Sequence, residues 1–114
     1  MKVSTASVDD YYMPILRALA EGEWKRKRII EKIRVMLDID DEQMNVLTSP
    51  RQGEKIGKRI KVLSDYDNAI YNLKKIGFVV YVSGKSLLTN KGKDYIIKHD
   101  TLTSDDYKML KGQL

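Results

Sequence analysis

No cysteine occurs in the 114 residues, and His99 is the sole histidine. The first absence excludes disulfide frameworks and thiolate zinc sites. The second excludes a histidine-based catalytic triad and a His-rich metal centre. No stretch approaches the roughly 18 apolar residues of a membrane span, and nothing at the start reads as a signal peptide. Internal repeats and low-complexity tracts are also missing. These absences suit a single domain in a reducing cytoplasm, with no cofactor and no membrane partner. The length allows one domain with a modest core, about 8–98, followed by a C-terminal helical extension or linker at 99–114.

What is present is positive charge, with 21 Lys+Arg against 16 Asp+Glu and a net charge of +5. Such a balance suits a polyanionic partner, although a Lys-rich solvated surface produces it equally well. The charge is blocked. Residues 21–34 sum to +3, residues 51–61 to +4 and residues 85–98 to +3. Acidic patches lie between them at 38–42, 65–67 and 100–106.

Val8, Tyr12, Ile15, Leu16 and Leu19 fall on one helical face, closed by Gly22. Ile29, Ile30, Ile33, Met36 and Leu37 make a second stripe, with basic residues outside it. Asp40 and Gln43 form a capping-box pattern that predicts a short third helix at 40–47. From Ser49 to Lys61 the chain is basic, holds Gly53 and Gly57, and reads as a mobile loop. Ser64 then caps a helix whose inner face is Tyr66, Ala69, Ile70, Leu73 and Ile76, stopped by Gly77. A hairpin follows, "FVVYV" turning through "SGK" into "SLLT". Thr89 is placed to cap a helix at 90–98, and Thr103 with Asp106 to cap a last one at 103–111. The expected fold class is therefore mainly α with a small β-hairpin (α+β). Three helices, a basic loop, a helix, a hairpin and a helix is the order of a winged helix-turn-helix domain. In that geometry the helix at 65–76 enters a DNA major groove and the hairpin tip lies beside a phosphate strand.

Candidate DNA contacts follow from that placement. Asn68, Tyr71, Asn72 and Lys75 lie on the outer face of the 65–76 helix, where Asn amides can pair with adenine and Tyr71 can pack on a base methyl or sugar. Lys58, Arg59 and Lys61 precede the helix, and Lys85 sits at the hairpin tip, all placed for phosphates. Each is otherwise an ordinary exposed residue, and Tyr71 neighbours the core position Ile70. Asp65 and Asp67 favour a helix N-terminus but repel phosphate. Trp24 suits a core plug between two helices better than a base-stacking group, and the run "KRKR" at 25–28 reads as a solvated face able to touch a DNA backbone.

"MPILRALAEGE" (13–23), "RIIEKI" (28–33), "TSPRQ" (48–52), "LKKIGFV" (73–79) and "LLTNKGKDYI" (87–96) together resemble the N-terminal domain of Mrr-type restriction proteins. The resemblance implies a winged helix that recognises DNA carrying modified bases and delivers a separate nuclease domain to it. Its recognition elements map to the helix at 65–76 and the turn at Ser83, Gly84 and Lys85. The nuclease of such proteins needs Asp/Glu-x-Lys on a strand to hold Mg²⁺. Glu23-Trp24-Lys25 and Asp106-Tyr107-Lys108 match the tripeptide, but neither lies on an expected strand. "GEKIGKR" (53–59) is one residue short of a phosphate loop and carries Arg59 where Ser or Thr is required. The chain is thus not expected to be an enzyme, and any nuclease belongs to another domain or partner. Two other readings remain: a dimeric winged-helix transcriptional regulator using 100–114 as its interface, and a protein-interaction module docking through the acidic start of the 65–76 helix.

Overall fold

The computed structural model describes every residue except Ile56 and Lys58. After a short 3-10 turn at Val3–Thr5 comes a second, Val8–Tyr11, whose first turn is closed by Ser7 and Asp10, the Asp10 carboxylate accepting from the Ser7 N–H at 2.8 Å. It continues as α1 (Tyr12–Ala20), with Pro14 in the first turn, where its missing N–H costs nothing. Helix α2 (Arg26–Met36) buries Ile29, Ile30 and Ile33 and leaves Val35 and Met36 exposed. It ends with Asp38 in the left-handed region, φ 52°, while the Ile39 N–H reaches back to the Arg34 carbonyl at 2.8 Å. These are the bonds of a Schellman stop.

The third helix expected at 40–47 is only a 3-10 turn, Gln43–Asn45. Asp40 does accept from the Gln43 N–H at 2.8 Å, as the capping pattern requires. The Gln43 side chain, however, accepts from the Val3 N–H at 2.8 Å instead of returning to residue 40. That bond draws the N-terminal segment in, and Val3 is fully buried. Val46 then turns extended. Thr48 N–H donates to the Arg59 carbonyl and Lys61 N–H to the Val46 carbonyl, each at 2.8 Å. The basic loop expected to be mobile is therefore closed at its base by antiparallel pairing of Leu47 with Ile60.

Because that pairing ends at Lys61, helix α3 (Lys61–Lys75) starts a turn earlier than Ser64. Val62, Tyr66, Ala69 and Leu73 form its buried stripe. Gly77, φ 80°, supplies its left-handed stop, and the Phe78 N–H bonds back to the Leu73 carbonyl at 3.0 Å. Strands β1 (Val79–Val82) and β2 (Lys85–Leu88) pair antiparallel, Val79 with Leu88 and Val82 with Lys85. Ser83 and Gly84 both have positive φ, 50° and 80°, matching the tight turn whose twist suits a hairpin. One sheet face buries Val79 and Ser86, while Val80, Val82 and Leu87 are exposed.

Helix α4 (Asn90–Lys98) leaves the sheet at once because its cap is shared with the end of α3. The Thr89 hydroxyl accepts from the Gly92 N–H at 3.1 Å and donates to the Gly77 carbonyl at 2.6 Å. Helix α5 (Ser104–Gly112) carries the Thr103/Asp106 capping box in both directions. Its Tyr107 ring packs 5.5 Å from that of Tyr12 on α1. The core thus takes in Val3, Leu102 and Tyr107, beyond the span 8–98. Among the described residues, no helix is long and apolar enough to cross a membrane.

Candidate nucleic-acid interface

The outward side of α3 carries Ser64, Asp67, Asn68, Tyr71 and Lys75, spaced three or four residues apart or adjacent. Asn68 and Lys75 are exposed, and Tyr71 is 57% exposed. The Lys75 ammonium lies 4.5 Å from the Tyr71 ring centroid. Lys74 reaches the hairpin instead, 4.7 Å from the Tyr81 ring. Near the other end of α3, Arg59, Ile60, Leu63, Ser64, Asp67 and Asn68 surround a surface concavity of about 360 Å³. The structure therefore brings Arg59 and Asn68 together, and places Tyr71 and Lys75 further along the same helix.

Two of the expected DNA-contacting residues are engaged inside the fold. Lys61 donates to Asp65 at 2.6 Å and to the Ala6 carbonyl at 2.7 Å, and its side chain is only 19% exposed. The Asn72 amide donates to the Tyr12 hydroxyl at 2.8 Å. Lys58 lies outside the described residues.

Trp24 is not a core plug; it is 36% exposed and lies alongside the hairpin. Its carbonyl accepts from the Ser86 N–H at 3.3 Å, so the segment after α1 runs beside β2. The ammonium groups of Lys85 and Lys25 lie 4.8 Å and 5.1 Å from its ring centroid. An indole face attracts cations through its quadrupole, which holds the Lys85 head at the β1–β2 turn. Among the described residues, Lys25, Arg59, Lys74, Lys75 and Lys85 have no carboxylate within 4.0 Å.

The acidic start expected on this helix is neutralised from within. Asp65 is buried against Lys61. Asp67 accepts from Arg26, Nε to Oδ1 at 3.2 Å and Nη2 to Oδ2 at 3.0 Å. The bond to Asp67 also raises the guanidinium pKa above its ordinary value. The Arg26–Asp67 pair and the position of Trp24 beside the hairpin are the features that the sequence pattern does not indicate. The basic run at 25–28 was a signal for proximity to a DNA backbone, not for the pair.

Among the described residues, no group of three His, Asp or Glu side chains is placed to hold a metal ion. His99 caps α4, exposed, with its ring stacked 4.3 Å from Tyr95. Compared with known proteins, the chain matches no family model, no curated protein and no solved structure.

Proposed function

We propose that this chain is a winged helix-turn-helix domain that binds double-stranded DNA, with α3 as its recognition helix and the β1–β2 turn as its wing. The observation that carries the reading is a set of cations without carboxylate partners among the described residues: Arg59, Lys74, Lys75 and Lys85. They lie on α3, just before it and on the hairpin that follows it. Carboxylates that would oppose a phosphate strand are each paired, Asp65 with Lys61 and Asp67 with Arg26. Pairing also weakens the case for an acidic docking surface. Affinity comes from lysine and arginine neutralising phosphates, and Asn68 and Tyr71 meet base edges and sugars. In keeping with the resemblance to Mrr-type restriction proteins, the domain recognises a target and leaves hydrolysis to a nuclease domain or partner in the cytoplasm.

Titration of a fluorescent duplex at two salt concentrations tests this. Wild type is expected to lose affinity steeply with salt. The Arg59→Ala/Lys75→Ala/Lys85→Ala variant is expected to show a log–log slope shallower by about 3, near 0.9 for each phosphate no longer neutralised. No binding at low salt overturns the proposal.

A dimeric regulator of the same fold draws on one further observation: Met109 and Leu114, in the C-terminal segment, are 65% and 69% exposed. Sedimentation over a range of concentrations separates the two readings, a monomer at high micromolar concentration excluding the dimer.

A further inference from the structure

A carboxylate on the exposed face of a DNA-reading helix needs a reason to be there. Asp67 and Arg26 meet through two parallel hydrogen bonds, yet their side chains are 56% and 52% exposed. Exposed ion pairs contribute little to stability, so holding the fold together is a weak explanation. The two-point fork does something else: it fixes the plane and direction of the carboxylate. Arg26 is itself steadied by lying 5.7 Å from the ring centroid of Tyr66, which is almost fully buried.

Valence is left over on both sides. A carboxylate has about four acceptor positions and a guanidinium five N–H donors. Two of each are spent on the pair, so Asp67 retains acceptors and Arg26 retains three donors. Asp67 lines the same concavity as Arg59, Ser64 and Asn68, so those spare acceptors belong to a recess already bounded by a cation and an amide.

Base-edge chemistry narrows the choice. In the major groove thymine and guanine present acceptors that repel a carboxylate, and adenine sets its N6 donor next to the N7 acceptor. Cytosine alone offers an amine donor with no acceptor beside it on its own edge. We infer that Asp67 is a base-selecting residue that accepts from the exocyclic amine of cytosine, with Arg26 as the positioning residue that aims it. The free N–H groups of Arg26 go to the adjoining phosphate, so that the carboxylate enters the groove without net repulsion. This assignment rests on the DNA-binding reading above and adds specificity to it.

The test is selection from a pool of duplexes with a randomised centre, sequencing the bound fraction for the full chain and for Asp67→Asn, Asp67→Ala and Arg26→Gln. Wild type should enrich a C·G pair in one orientation at one position. Asp67→Ala should lower that preference about tenfold and leave the other positions unchanged. Asp67→Asn should move it toward adenine, which pairs with an amide. Arg26→Gln should weaken the same preference and make the salt slope shallower by about 1. Melting curves of all three should overlay wild type, which separates reading from folding. A wild type without a cytosine-enriched position, or an Asp67→Ala profile identical to wild type, overturns the assignment while the DNA reading stands. Wild type that retains no duplex at low salt overturns both.

Discussion

Lys61 Nζ lies 2.6 Å from Asp65 Oδ2, one helical turn further along α3, with the two side chains 19% and 12% exposed. The same ammonium donates to the Ala6 carbonyl at 2.7 Å, so a single lysine joins the N-terminal segment to the helix. It sits among residues expected to meet phosphate but works as an internal tie. Replacing it by alanine leaves Asp65 nearly buried without its partner. Lys61→Ala should cost about 2–3 kcal/mol of stability in a denaturant titration. Adding Asp65→Ala should restore part of the loss, since the uncompensated charge goes too. A double variant no more stable than the single one would refute the tie.

Asn72 and Tyr71 are adjacent on α3 and should separate cleanly. The Asn72 amide bonds to Tyr12, whose residue is 3% exposed, so Asn72→Ala should cost about 1 kcal/mol and leave duplex affinity unchanged. Tyr71→Ala should do the reverse, with an unaltered melting temperature and a duplex Kd several-fold higher. Paired melting and binding measurements check both.

Gly92 lies in the first turn of α4, where alanine would ordinarily favour a helix. Here a Cβ would stand 2.5 Å from the Phe78 carbonyl oxygen and 2.7 Å from Leu88 Cδ1. Gly92→Ala should therefore destabilise by about 1–3 kcal/mol, the reverse of the propensity trend. A thermal midpoint equal to or above wild type would mean that α4 sits further from the hairpin.

Alkaline stability should report two buried phenols. Burial pushes the Tyr66 hydroxyl from 10.0 up to about 12, and Tyr11 is raised further by burial and by the nearby charge of Asp65. The folded state then keeps a proton that the unfolded chain gives up. Stability is fully present below pH 10 and falls as the pH rises from 10 toward 12, by up to about 2–3 kcal/mol for Tyr66 alone. Tyr66→Phe should flatten that decline when denaturant midpoints are compared at about pH 9 and pH 11.

The Tyr11 hydroxyl is buried and has no hydrogen-bond partner among the described residues. Removing it discards a desolvated polar group and leaves the ring packing in place. Tyr11→Phe should be neutral or stabilising by about 1 kcal/mol near neutral pH, read from the thermal midpoint.

Several elements were legible in the sequence because their causes are local. The helical stripe from Tyr12 to Leu19, the stop at Gly77, the turn at Ser83 and Gly84, and the caps at Thr89 and Thr103 all act across a few residues. Where the expectation departs from the structure, a distant group intervenes. Gln43 was drawn to Val3, 40 residues earlier, and the helix at 40–47 shrank to one turn. Ser64 lost its capping role because Val46 and Leu47 pair with the chain just before α3 and set an earlier start.

The candidate interface divides along the same line. Exposure of Asn68, Tyr71 and Lys75 on one helix side follows from helical periodicity, and the position of Lys85 at a tight turn follows from Ser83 and Gly84. Local pattern was enough for the long helices, most of their stops, the hairpin and the blocked positive charge. Which polar groups in this region are also tied to distant parts of the chain was set by the tertiary structure. Lys61 is taken up by Ala6, 55 residues away, Asn72 by Tyr12, 60 away, and Asp67 by Arg26, 41 away. A hydrogen bond requires atoms about 3 Å apart, and no local pattern specifies which distant atom the folded chain will bring there.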